Sequence, residues 1–166
     1  TQGDPMGTFL YSLAIHDVLR EATVLFEDVL IAAYADDLLT FGEPLRALQA
    51  WKWIRVELRK IRLDFKEAAS EAWSPSPVDL AVVAEMEAEG IRLQDPHTGF
   101  HVLGTPVGRD DWAHQQLEDL CRDRRQALAT IAVMGAGPTQ DGLLRYCANT
   151  WVQHLGRTCP ADVASA

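Results

Sequence analysis

Two adjacent carboxylates, Asp36 and Asp37, lie in the tetrapeptide Tyr34-Ala35-Asp36-Asp37 between two apolar runs. Val29-Leu30-Ile31-Ala32-Ala33 leads in, and Leu38-Leu39-Thr40-Phe41-Gly42 leads out. Short apolar segments on either side of a polar pair predict a β-hairpin with the aspartates at its turn. Paired carboxylates on an exposed turn can hold a hard cation, because Mg²⁺ takes oxygen ligands and binds through one or two carboxylates completed by substrate phosphates. The same residues also suit a plain turn, since Asp bonds its own backbone there.

The carboxylates need elements to hold them. Gln2-Gly3-Asp4-Pro5-Met6-Gly7 is a glycine- and proline-punctuated loop ahead of a periodic segment. Tyr11, Ala14, Ile15, Val18, Leu19, Ala22 and Leu25 recur at helical spacing, with Ser12, His16, Asp17, Arg20 and Glu21 opposite. That pattern predicts an amphipathic helix whose apolar face supports the hairpin. A second helix is expected from about Pro44 to Ile61. Its buried face would carry Ala47, Ala50, Trp51, Ile54, Leu58 and Ile61.

The order of loop, helix, strand, Tyr-x-Asp-Asp turn and strand resembles the palm of reverse transcriptases. The Gln-Gly-Asp-Pro variant is most similar to the enzymes of non-LTR retrotransposons and related retroelements. The resemblance implies RNA-directed DNA synthesis by two-metal nucleotidyl transfer. Mg²⁺ (or Mn²⁺) would be the cofactor, and an RNA template, a DNA primer and deoxynucleoside triphosphates the partners. By the same resemblance Asp36 would be the direct metal ligand. Asp37 would be the second carboxylate, Tyr34 would pack near the primer end, and Ala35 would leave the tip uncrowded. Gln2 and Gly3 would touch the templating pair, while Pro5 and Gly7 would shape the loop.

Downstream, Leu63 to Pro75 looks like the family's next palm segment, a small turn, an Asn, a Lys and a strand. Aligning Glu71-Ala72-Trp73-Ser74-Pro75 with that strand puts Ala69 at the usual lysine and Arg62 at a usual glycine. Lys66 reaches the lysine position only after a slip of three residues. Val102-Leu103-Gly104-Thr105-Pro106-Val107-Gly108 is similar to the hairpin that grips the primer, with Leu103 and Gly104 at its centre; a plain hairpin accounts for it equally. The stretch from Leu143 to Arg157 looks like the helical region after the palm. The fold class expected is therefore α+β: a partial palm over 1–108, a helical thumb-like region over 109–159, and a disordered tail over 160–166.

The family carries its first catalytic aspartate on a strand ahead of the Gln-Gly loop, and its fingers bind the nucleotide. Neither falls within these residues. The expectation is thus a C-terminal part of a polymerase that is inactive in isolation. The alternative is a degenerate, non-catalytic remnant acting as a scaffold or interaction module. A metal hydrolase built on Asp36 and Asp37 would need a further histidine or carboxylate cluster, for which the sequence offers no candidate.

Composition sets outer bounds. At 166 residues and 48% hydrophobic the chain can bury a core, but its net charge of −9 is opposite to the basic footprint of nucleic-acid binders. Weak nucleic-acid binding is expected. Lys52, Arg55, Arg59 and Arg62 recur on one face of the second helix and read either as a solvated face or as a phosphate-facing stripe. Cys121, Cys147 and Cys159 form no ligand or disulfide spacing and read as reduced thiols, and the histidines as surface residues. No apolar run spans a bilayer and no secretory pattern opens the chain, so no membrane partner and an intracellular location are expected, nucleus or cytoplasm undistinguished. Ser74-Pro75-Ser76-Pro77 breaks the pattern before a short helix over Val78 to Glu89 that Pro77 would start and Gly90 would end. Ile91-Arg92-Leu93 and Phe100-His101-Val102-Leu103 then predict a hairpin. From Asp110 a long helix would bury Ala113, Leu117, Leu120, Cys121, Leu128 and Ile131. After the break at Gly135-Ala136-Gly137-Pro138, a last helix would present Leu144, Cys147, Trp151 and Leu155.

Overall fold

Helical periodicity and hairpin alternation occupy separate stretches of the chain, and the fold is accordingly α+β. The computed structural model describes residues 5–34, 37–65 and 70–148. Contacts divide the chain into two units, Thr1–Leu93 and Gln94–Ala166. The Leu103-Gly104 hairpin, grouped with the palm on sequence, thus shares a unit with the helices that follow it.

The first unit opens with helix α1 (Pro5–Leu25) and the antiparallel strands β1 (Leu30–Tyr34) and β2 (Asp37–Phe41). Ile15 and Ala22 of α1 are buried, with Tyr11, Val18 and Leu19 packed beside them. Ala14 and Leu25, expected on the same face, are exposed. Helix α2 (Pro44–Lys60) and the hairpin cover only a narrow stripe of α1, so the edges of its apolar arc stay in solvent. Phe9, Leu10 and Leu13 lie on the uncovered side.

Glu43 starts α2 by accepting the amide N–H groups of Leu45 and Arg46 at 3.2 and 3.0 Å, and Pro44 occupies the first turn, where a missing N–H costs nothing. The helix serves two clusters. Ile54 and Leu58 join Ile15 and Ala22 beneath Ile31 and Leu38 of the hairpin. Leu48 faces Val82, Met86 and Ile91 instead. Ala50, Ile54 and Leu58 are buried as expected, whereas Ile61 is exposed because α2 has already ended.

Both α2 and α3 (Leu80–Ala88) end in the same way. Leu63 N–H donates to Leu58 O and Arg62 N–H to Arg59 O, both at 3.0 Å. Ile91 N–H donates to Met86 O at 2.9 Å and Gly90 N–H to Glu87 O at 3.0 Å. These paired bonds are the Schellman pattern, which needs a left-handed residue just past the helix and an apolar contact behind it. Gly90 supplies it at φ 75°, and Arg62 supplies it at φ 63°. Asp79 caps α3 through the Ala81 N–H at 2.7 Å, so the helix starts at this carboxylate and not at Pro77.

The expected pairing of Ile91-Arg92-Leu93 with residues 100–103 is not formed. Strand β4 (Arg92–Leu93) instead runs parallel to β3 (Glu71–Ala72), pairing Glu71 with Arg92 and Ala72 with Leu93. The cap of α3 buries Ile91, which turns the next amide, Arg92 N–H, to Ser70 O at 3.0 Å. The Arg92 guanidinium also pairs with Glu71.

In the second unit, β5 (Gly99–Val102) and β6 (Thr105–Gly108) form a hairpin on helix α4 (Asp110–Val133). Leu103 and Gly104 make its two-residue turn at φ 52° and 80°, the double left-handed geometry that matches strand twist. Asp110 and Asp111 sit at the positive end of α4. Leu117 and Ile131 are buried, and Ala113, Leu120, Cys121 and Leu128 are half-buried. After the break, α5 (Pro138–Leu143) leads into a π-helical turn over Leu144–Ala148. Gln140 ties α5 back by donating to Ile131 O at 3.0 Å. Trp151, Leu155, Cys159 and the tail over 160–166 lie outside the described residues.

Candidate functional site

The hairpin register decides where the carboxylates stand. Leu30 pairs with Phe41, Ile31 with Thr40, Ala33 with Leu38 and Tyr34 with Asp37. Side chains alternate with period two, so Ile31, Ala33, Leu38 and Thr40 share one face. Ile31 and Leu38 pack on the Ile15–Ile54 cluster, which makes that face the inner one. Tyr34 and Asp37 therefore stand on the outer face, and Tyr34 is 67% exposed. Ala35 and Asp36, like Gln2 and Gly3, lie outside the described residues.

The hairpin is anchored at its base by a pair that sequence reasoning did not weigh. Arg46 Nε donates to Asp28 Oδ2 at 2.8 Å and Nη2 to Oδ1 at 3.0 Å, a two-pronged bond across the turn that feeds β1. The guanidinium also lies 5.2 Å from the Phe26 ring centre. The Arg46 hydrogen bond holds the Asp28 carboxyl below the ordinary carboxylate range. An acid just before a strand and an arginine in the first turn of the next helix were visible in the sequence, but nothing local pairs them.

Asp37 is exposed, and among the described residues no ion pair or hydrogen bond occupies its carboxylate. Its oxygens are therefore open to a hard cation, while Asp36 lies outside the described residues. All-oxygen donors of this kind suit Mg²⁺ or Mn²⁺. Among the described residues there is no group of three histidine, cysteine or acidic side chains able to hold a metal.

Three of the four cations in the basic stripe on α2 pair with acids, and Arg62 is exposed. Lys52 bonds Glu85 at 2.6 Å and approaches Glu89 at 3.5 Å. Arg55 bridges Glu89 and Asp64, each at 3.1 Å, and Arg59 bonds Asp64 at 2.8 Å. These cations hold α3 and the turn after α2 in place. The acids responsible come from other elements, which is why the i, i+3/i+4 spacing alone could not reveal them. Ala69 and Lys66 lie outside the described residues.

The other predicted contact residues, Leu103 and Gly104, form the β5–β6 turn of the second unit. Beside that turn is an open cavity of about 220 Å³ lined by His101, Gly104, Pro106, Gln116, Asp119, Leu120 and Asp123. His101 packs edge-on against Trp112 at 5.6 Å, and Asp119 pairs with Arg122. Among the described residues no helix is long and apolar enough to cross a membrane. No protein-family model matches the chain, and neither a curated protein nor a solved structure matches it significantly.

Proposed function

We propose that this chain is part of a retroelement reverse transcriptase and contributes the Asp36-Asp37 carboxylate pair for two-metal nucleotidyl transfer. The observation that carries the reading is the hairpin register. It pairs Tyr34 with Asp37 and sets both on the outer face, away from the cluster that α1 and α2 form beneath the hairpin. Two further features support it. Arg62, aligned with a family glycine, holds the left-handed conformation that a glycine would take most easily. Leu103 and Gly104, aligned with the primer grip, form a two-residue turn.

Asp36 and Asp37 would hold the divalent ion. When bound, the ion would lower the barrier by stabilising charge on the attacking and departing oxygens. Tyr34, exposed beside Asp37, offers a flat face to the end of a primer. The remaining work of the hairpin is positional, since phosphoryl-transfer catalysis is almost wholly alignment plus electrostatics. The first aspartate of the family's set would come from a strand ahead of the Gln-Gly loop. A second reading, a non-catalytic scaffold, is favoured by one observation: Lys52, Arg55 and Arg59 of the α2 stripe are engaged by Glu85, Glu89 and Asp64.

Titration of the chain with Mn²⁺, followed by paramagnetic broadening of amide resonances, tests the pair without requiring activity. Broadening should centre on residues 34–38 and disappear in Asp36→Ala/Asp37→Ala. Broadening elsewhere, or its persistence in the double variant, would overturn the polymerase reading and leave the scaffold.

A further inference from the structure

We propose that Ser76 is a phosphoacceptor for a proline-directed serine kinase, and that Ser74 is the hydroxyl that shapes the acceptor loop. Ser74-Pro75-Ser76-Pro77 connects β3 to α3 without regular structure. The two serines are adjacent in motif but not in chemistry. Ser74 Oγ donates to Ser76 O at 2.8 Å and accepts the Ser76 N–H at 3.3 Å. Ser76 is exposed, and its own Oγ makes no hydrogen bond among the described residues. Phosphorylating Ser76 therefore breaks neither bond, whereas phosphorylating Ser74 removes the hydroxyl proton that it donates to Ser76 O.

The flanking prolines fit the same role. Pro77 fixes its own φ, has no N–H, and biases Ser76 towards an extended backbone. An extended acceptor with a free hydroxyl and no following amide to satisfy is what a proline-selective kinase cleft can take. Pro75 and Pro77 are exposed on either side of Ser76, so an enzyme can reach the loop. Asp79, three residues on, keeps its carboxylate on the Ala81 N–H and does not compete for the hydroxyl.

The step itself balances with ATP as the phosphoryl donor. Ser76 Oγ forms a bond to the γ-phosphorus while the bond from that phosphorus to the β,γ-bridging oxygen breaks. ADP departs, and the hydroxyl proton passes to the kinase's catalytic carboxylate. The product adds about −1.5 to −2 charges to a surface loop.

The test treats the folded chain with a recombinant cyclin-dependent protein kinase and ATP, then localises phosphate by peptide fragmentation. One phosphate is expected, on Ser76, favoured over Ser74 by up to about tenfold, as the loss of the hydrogen bond that Ser74 donates predicts. Ser76→Ala and Pro77→Ala should each abolish most incorporation, while Ser74→Ala should keep it. A synthetic peptide spanning residues 70–82, in which the turn is not held, should accept phosphate on both serines. No incorporation into the folded chain, phosphate mainly on Ser74, or undiminished labelling of Ser76→Ala would each overturn the proposal. Localisation on the unaltered chain decides the matter even if a variant folds poorly.

Discussion

Arg62 and Gly90 occupy the same cap position after two different helices, and only one of them is the residue that position favours. A side chain in the left-handed region crowds its own backbone, and glycine escapes that cost. Arg62→Gly should therefore raise stability by about 1 kcal/mol, and Gly90→Ala should lower it by a similar amount. Urea unfolding measures both, as opposite shifts in midpoint at constant slope. If Arg62→Gly instead destabilises, the arginine side chain contributes more than its backbone costs. The polymerase reading would then lose the support it draws from this position.

At the scale of elements, α2 organises the first unit. Ile54 is fully buried between α1 and the hairpin. Truncation there leaves a cavity that rigid neighbours cannot fill, so Ile54→Ala should cost about 2–5 kcal/mol and Ile54→Val about 0.5–1.5. Thermal melting checks this, and the larger variant should also lose the protection of hairpin amides against hydrogen exchange. The Arg46–Asp28 pair joins α2 to the same hairpin by charge. Its sign follows from the Asp28 carboxyl, which the Arg46 hydrogen bond holds below its unfolded value. The stabilisation is complete above the unfolded pKa and disappears as pH falls through the folded one. Melting temperatures of the unaltered chain and Asp28→Asn should differ at neutral pH and converge below about pH 4. High salt should narrow the gap throughout, because both side chains are partly exposed. A gap independent of pH would mean that the pair contributes no charge-dependent stability.

For the whole molecule, net charge and the fate of the basic stripe point the same way. With −9 overall and Lys52, Arg55 and Arg59 committed to internal acids, little remains to displace counterions from a duplex. Fluorescence anisotropy with an RNA–DNA primer–template should give a dissociation constant no tighter than about 10⁻⁴ M at physiological salt. Nanomolar binding with a steep salt slope would contradict this. The 166 residues alone should also extend no primer with Mg²⁺ and nucleotides, since two ions need more than one carboxylate pair to hold them in register. Template-directed extension abolished by Asp36→Ala would refute that expectation.

Local chemistry was legible in the sequence wherever near neighbours fix the outcome. The hairpin followed from apolar runs around Asp36 and Asp37, α2 from its periodicity and Pro44, and the end of α3 from Gly90. Tertiary structure decided what distant residues control. Arg92 bonds Ser70 because burial of Ile91 turns its amide that way, so β4 pairs with β3 in place of the expected hairpin. Lys52 and Arg55 pair with Glu85 and Glu89, more than thirty residues away. Asp28 and Arg46 meet only because the hairpin folds back against α2. Periodicity records which face of an element is apolar. It carries no information about which other element covers that face, and long-range charge pairing depends on that docking.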